Sequence, residues 1–513
     1  MKIKIFGHPP RRRIYLVAPK NPDAFWSMQA TVDAVGARAL MPNAALATLV
    51  ALTPAEAGVE YVYCDENLAP VQLDLPCDLV ALTGYTLHAP RLRQLSAHFR
   101  SRGIPVALGG AFATLDPDAA RPLADHFFRG EAELTWPRFL RDLPQGRALA
   151  AYEQREPVSM ADSPPPDWSL VRGRDYVYFT VQASRGCPNR CAFCDAVRLV
   201  GRRHRAKEID QVLQEIDNAR LAGATTVFFS EDNFFANRAY TQQLLQRIVE
   251  YNCRLARPLS FSCQASVAIA DDDDLLRLLA DARMSVIFLG VESVRQTCLE
   301  EIDKGHLFRP NLAERIRAIS RHGILPFTGL IVGFDHDDAQ TFPEIEQFLA
   351  STSTPLASIS VLNAPEHTVL HERLKQAGRI SEGFKGFWHA STNIVPSSMS
   401  LDVLLIRHRA LFSALYEPAR FEERAVGWLR GVRYHSPLYR KKKLTLQKLA
   451  SALPVFRHYL LAAPPPVRAL FFRLLRRAWH IDPRLVRKAI TIMTQYCHYY
   501  SFVHDPAWQE AVR

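Results

Sequence analysis

The stretch Ser184-Arg185-Gly186-Cys187-Pro188-Asn189-Arg190-Cys191-Ala192-Phe193-Cys194-Asp195-Ala196 decides how the rest of the chain is read. It follows directly on an apolar run, residues 178–182, that reads as a strand. Cys187, Cys191 and Cys194 stand at C-x3-C-x2-C spacing. Three thiolates can hold three irons of a [4Fe-4S] cube and leave the fourth iron open, whereas a fully ligated cluster takes four. Zinc would call for a fourth Cys or His at a paired spacing, and no second C-x2-C occurs in the chain. The chain has nine cysteines, and only these three are grouped. That distribution points to reduced thiols and a metal site rather than a disulfide framework.

Downstream of the loop, strand-like runs at 225–235, 259–268, 285–293, 326–335 and 357–366 alternate with helical patterns such as 209–223 and 273–283. Six βα units over 177–365 predict an open partial (β/α)6 barrel. Its strand ends carry Glu231, Asp232, Glu292, Ser293 and Gly333. Upstream, residues 13–145 show a separate alternation of short apolar runs and single helices. That is the pattern of a Rossmann-like, doubly wound parallel sheet, assigned to residues 1–150. Ligands of such sheets bind at the carboxyl ends of the strands. Those ends carry Asp65, Glu66, Asn67, Thr83, Gly84, Gly109, Gly110, Gly130 and Glu131. Residues 151–176, rich in proline and charge, read as a linker. Residues 366–513 read as an α-helical, basic domain, so the fold class is α/β with a helical C-terminal domain. His88, near a strand end, reads as a surface histidine. His306 and Glu366 read as solvated loop residues rather than catalytic ones.

The cysteine loop resembles the signature of the radical S-adenosylmethionine (SAM) superfamily. The resemblance implies that the open iron chelates SAM and that reductive cleavage releases a 5′-deoxyadenosyl radical. It implies that Phe193 backs the adenine and that Glu231 and Asp232 meet the amino group, although the glycines usual before that acid are absent here. Glu292 and Ser293 would meet the ribose or carboxylate. The stretch Gly329-Leu330-Ile331-Val332-Gly333 would lie beside the adenine. The N-terminal domain resembles the cobalamin-binding domain of the same enzymes, through Asp65-Glu66-Asn67, Thr83-Gly84, Gly109-Gly110 and Gly130-Glu131. The D-x-H-x-x-G motif that supplies a histidine to cobalt is missing, which implies cobalt held without one. Over residues 13–420 the chain is similar to the subgroup of hopanoid and bacteriochlorophyll side-chain methylases. That similarity implies a methyltransferase acting on an unactivated carbon of a lipid or secondary metabolite through the radical and methylcobalamin. Two alternatives stay open: a radical cyclase resembling the anaerobic Mg-protoporphyrin cyclase, and a non-enzymatic cobalamin or redox sensor. The cofactors do the hard chemistry in such enzymes while the protein orients them. An outside electron donor such as flavodoxin or ferredoxin is implied.

Charge is unevenly placed. The net charge is +11, but from Arg420 onward 18 Lys/Arg face 5 Asp/Glu, a local balance of +13. Arg440-Lys441-Lys442-Lys443 and the run Phe471-Phe472-Arg473-Leu474-Leu475-Arg476-Arg477-Ala478-Trp479 mix basic and apolar residues at helical spacing. Such helices fit either the surface of an anionic membrane or a lid packed on the barrel. No nucleic-acid module is recognisable, and no nucleic acid is expected. No run of about 18 apolar residues predicts a membrane span, and the N-terminus lacks a signal-peptide pattern. The expectation is a cytoplasmic protein, peripheral to membrane if the tail docks there.

Overall fold

A computed structural model describes residues 2–7, 11–22, 25–307, 311–381, 391–439, 446–506 and 508. The chain divides into two compact units: residues 1–23, 38–188 and 195–231 form the first, and residues 24–37, 189–194 and 232–513 the second.

The first unit is built on a seven-stranded sheet. Its strands are β1 (Ile3–Phe6), β2 (Arg12–Ala18), β3 (Val59–Asp65), β4 (Leu79–Thr83), β5 (Val106–Gly109), β6 (His126–Arg129) and β7 (Ala151–Glu153). They lie in the order β1-β3-β2-β4-β5-β6-β7, and only β1 is antiparallel to its neighbour. β2 shows why a doubly wound sheet forms. Ile14, Leu16 and Ala18 enter one core, and Tyr15 and Val17 enter the other. A strand buried on both faces reads as a continuous apolar run, as IYLVA does here. The order puts β2 between β3 and β4, so the chain reverses direction across the sheet at β2, with the ends of β3, β4 and β5 around that point.

The same unit contains β8 (Phe179–Val181), β9 (Ser184–Arg185), β10 (Arg205–Ala206) and β11 (Thr226–Phe229). β8 and β11 run parallel, and β9 and β10 form a short antiparallel pair. The second unit continues the βα series with β12 (Ser260–Ala265), β13 (Met284–Glu292), β14 (Leu325–Val332) and β15 (Leu356–Val361), all parallel. Helices follow at Leu401–Leu415, Pro418–Gly431, Pro465–Ile481 and Val486–Val503. The segment after Ala24 joins this unit: Phe25 packs edge-on against Phe412 and Tyr499. The buried His498 donates its Nε2 proton to the Phe25 carbonyl at 2.6 Å, and burial lowers its pKa to about 4, so the ring is neutral.

Two expectations change. Residues 151–176 do not behave as a loose linker. Trp168, Val171 and Tyr176 are buried against Ala47, Phe179 and Ala219, so the prolines there shape packed turns. His88 is not a surface residue. It is buried, accepts the Tyr85 N–H at Nδ1 (3.0 Å) and meets Asn21 Oδ1 at Nε2 (2.9 Å). Both ring nitrogens are therefore spent on holding the turn after β4.

Candidate active site

The cysteine loop is braced at its start. Arg185, on β9, is half-buried and forked between Glu131 (2.8 Å) and Glu133 (2.7 Å), and Arg205 on β10 holds Glu131 from another side (2.8 Å). Gly186 has φ +95°, and a Cβ there would collide with the Arg203 carbonyl, so only glycine makes this bend. Cys187 follows, buried, its N–H on the Gly201 carbonyl at 3.2 Å.

The second half of the loop belongs to the second unit. The Ala192 N–H bonds the Ile302 carbonyl (3.0 Å), and the Ala192 carbonyl accepts from the Leu370 N–H (2.9 Å). Ala192 and Phe193 pack with Leu299, Ile302, Phe334 and Leu370. The Cys194 N–H returns to the Cys191 carbonyl (3.1 Å), closing a turn that leaves both thiols half-buried and reduced. Two residues beyond Ile302 lies Lys304, a residue that no sequence signal singled out. Its buried ammonium bonds the Gly290 carbonyl at 3.1 Å and pairs with Glu292. Burial works against that charge, but Glu292, Cys191 and Cys194 outweigh it and raise the lysine pKa. Lys304 is therefore a fixed cation facing the two cysteines. Among the described residues no three Cys, His, Asp or Glu side chains stand in a ready-made metal geometry. The case for a cluster therefore rests on the donor set, its spacing and this cation.

Glu231 lies two residues beyond β11 and is buried. One carboxylate oxygen accepts the N–H groups of Ala183 and Ser184 (the latter at 3.0 Å), and the other has no partner among the described residues. An orphaned buried oxygen is costly, and a cationic amino group would satisfy it. Burial raises the Glu231 pKa to about 7. Because the folded-state pKa lies above the ordinary value of 4.5, the group stabilises the fold at low pH and loses that contribution as pH rises through 7. The shift corresponds to about 3 kcal/mol. Urea unfolding of the ligand-free protein should show this slope, and Glu231→Gln should flatten it; an unchanged slope would place the titration elsewhere. Asp232, the next residue, is exposed.

On β13 and β14, Gly290 pairs with Gly329 directly above the Phe288–Phe327 pair, and a bulge then brings in Glu292 at φ +61°. Neither glycine has room for a side chain: a Cβ on Gly329 would strike the Phe288 ring, and one on Gly290 would strike the Glu292 carboxylate beside Lys304. Ser293 is buried and its Oγ accepts the Arg295 N–H (3.1 Å). Gly333 has φ +104° and gives its N–H to Asp337 (2.8 Å), which fixes the turn after β14.

At the ends of the first sheet, the nine candidates separate into two groups. Thr83, Gly84, Gly109 and Gly110 form a close-packed cradle: Gly110 has φ +88°, and a Cβ on it would strike the Thr83 hydroxyl, while a Cβ on Gly84 would press on the His88 ring. These glycines are needed for the close packing of the two strand ends on each other. Gly130, at φ +85°, lies against the Gln154 carbonyl. The acidic candidates are already engaged. Asp65 accepts from Tyr176 Oη (2.9 Å) and from Asn67, Glu66 is forked onto Arg91 (3.0 and 3.1 Å), and Glu131 is held by two arginines. Asn67 also accepts the Asn21 N–H at 2.9 Å.

Comparison with known proteins adds the wider context. Residues 181–349 match the family model of the radical SAM superfamily, and residues 368–510 match a domain of unknown function, DUF4070. The chain is 30% identical to an uncharacterised methyltransferase of Synechocystis sp., over 80% of this chain and 77% of that protein. It is also 30% identical to the hopanoid C-2 methylase of Rhodopseudomonas palustris, over 72% and 71%. Among solved structures, the radical SAM methyltransferase TsrM of Kitasatospora setae, with cobalamin and a [4Fe-4S] cluster bound, shares the fold at a TM-score of 0.60 and 14% identity, over 95% of this chain and 99% of that one. The cobalamin-dependent radical enzyme OxsB shares it at 0.60 and 15% identity, over 96% and 80%. The cysteine loop, the parallel strands that follow it and the extent of these matches together show that the chain belongs to the radical S-adenosylmethionine family, in the group that includes the hopanoid C-2 methylase.

Proposed function

We propose that the protein is a cobalamin-dependent radical SAM methyltransferase that methylates an unactivated carbon of a small-molecule or lipid substrate. The observation that carries this reading is the 30% identity to a hopanoid C-2 methylase across seven-tenths of both chains. Cys187, Cys191 and Cys194 would hold the [4Fe-4S] cluster, with Lys304 balancing its charge. Glu231 would receive the amino group of SAM on its free oxygen. Phe193, Glu292, Ser293 and Gly333 would lie around the adenosine part. Thr83, Gly84, Gly109 and Gly110 would seat cobalamin, while Asp65, Glu66, Asn67, Gly130 and Glu131 would shape that seat through the bonds described above. Bound there, these groups supply a carbon-centred radical and a transferable methyl. The chain's own work is to orient them and exclude water.

Two partners go with this reading: a one-electron donor of the flavodoxin or ferredoxin type and, through the basic C-terminal helices, a membrane surface. Among the described residues no helix is long and apolar enough to cross a membrane. SAM labelled at its methyl group tests the central claim. With extracts of the source cells as substrate, label should enter a product together with formation of 5′-deoxyadenosine. Formation of 5′-deoxyadenosine with no labelled product would instead favour a cyclase.

A further inference from the structure

The helix Pro465–Ile481 carries apolar residues beyond those it needs for packing. Val467, Leu470, Phe471, Leu474 and Ala478 face inward and are buried. Tyr459 stacks on Phe471 with ring centroids 3.9 Å apart. Yet Phe472 and Trp479 point outward, and Trp479 is 61% exposed. They lie seven residues apart, two turns along one side of the helix. Arg476 and His480 follow Phe472 at four-residue steps on the adjoining strip, also exposed.

Beside this strip is a cleft between the helices Pro418–Gly431 and Pro465–Ile481. It is lined by Val426, Arg430, Arg476, Arg477, His480 and Ile481. Of its three arginines, nearby acidic residues neutralise Arg477 alone. Glu422 is already held by Arg473 (2.9 Å) and Arg477 (3.0 Å), and Asp482 by Arg484 (2.5 Å). Among the described residues no carboxylate pairs with the side chain of Arg430 or Arg476. A basic concavity therefore adjoins an exposed indole, a phenyl ring and the half-exposed Ile481.

We infer that this face docks on an anionic phospholipid bilayer. Phosphate groups of the lipid would enter the cleft between Arg430 and Arg476, and Trp479, Phe472 and Ile481 would sit at the boundary of headgroup and acyl chain. The charge fits: the surface of an anionic leaflet attracts each nearby basic side chain, and a tail carrying +13 meets it favourably. The apolar residues fit as well, because amphipathic aromatic rings favour the interface and helices lying there combine Arg with Trp and Phe. A nucleic acid would use the arginines but leave Ile481 and Phe472 without an apolar partner. The inference extends the membrane-facing reading of the tail proposed above, and its test involves no methyl transfer.

The test is co-sedimentation of the full chain with vesicles of equimolar phosphatidylglycerol and phosphatidylcholine, against vesicles of phosphatidylcholine alone. Binding should favour the anionic vesicles and weaken with salt. Arg430→Ala with Arg476→Ala should lower partitioning by about tenfold or more, since two near-surface charges are lost. Brominated acyl chains should quench tryptophan emission, and Trp479→Ala should remove most of that quenching. All these positions are at the surface, and a thermal melt checks that the variants fold. Equal binding to both vesicle types, undiminished binding of the double variant, or quenching unaffected by Trp479→Ala would overturn the inference. So would binding to a DNA duplex with none to vesicles. Loss of methyl transfer with vesicle binding intact would count against the enzymatic reading alone.

Discussion

Cys191→Ala should abolish 5′-deoxyadenosine formation, with a fall of more than about a thousandfold, the scale expected when the group that carries the chemistry is removed. The loop should survive the change. Its geometry is held by the backbone of the next residue, Ala192, through Ile302 and Leu370. What is lost is one of three thiolates, and two cannot hold three irons. No neighbour can stand in. Cys298 belongs to the same packed cluster as Ala192, but it is buried, bonds Asp337 at 3.4 Å, and burial pushes its pKa to about 12. It stays a thiol, and a thiol is a poor iron ligand. Anaerobic reconstitution followed by iron and sulfide analysis, with 5′-deoxyadenosine measured after dithionite, checks the prediction. A variant with parent-like iron content and product formation would dismiss the cluster assignment.

The cysteine loop could be read from sequence because its chemistry lies within eight consecutive residues. The parallel sheets could be read because strands such as IYLVA are apolar on both faces and are spaced by single helices. What could not be read is which distant partner claims a polar strand-end residue. Glu131 stands after a glycine at the end of β6, just where a ligand contact is expected. Its partners are Arg185 and Arg205, more than fifty positions away, and together they brace the cysteine loop instead. Glu66 is spent on Arg91 for the same reason. His88 reads as a surface residue from its place near a strand end, and only the fold of the turn after β4 shows both its nitrogens occupied. In the C-terminal helix, alternation of basic and apolar residues did not reveal that Phe471 packs inward while Phe472 faces out. One residue of helical rotation, about 100°, separates those two fates.

Lys304 is the functional candidate that sequence reasoning missed, and it carries the other large prediction. Lys304→Met should destabilise the protein by about 3 kcal/mol, because it leaves Glu292 as a largely buried carboxylate without its cation. Stability alone would not show a role toward the cluster, since any buried pair behaves this way. The informative variant is Lys304→Met combined with Glu292→Gln. Removing both partners should restore most of the lost stability. The double variant should still differ from the parent at the cluster. Lys304 is the member of the pair that acts on Cys191 and Cys194, so its loss should outweigh loss of the Glu292 carboxylate, and the midpoint potential of the reconstituted protein should fall. A double variant as stable as the parent, with the same midpoint potential, would reduce Lys304 to a packing role. A fall in potential with stability restored would separate the electrostatic task of the lysine from its structural one, and would tie the end of β13 to the reactivity of a loop nearly a hundred residues earlier in the chain.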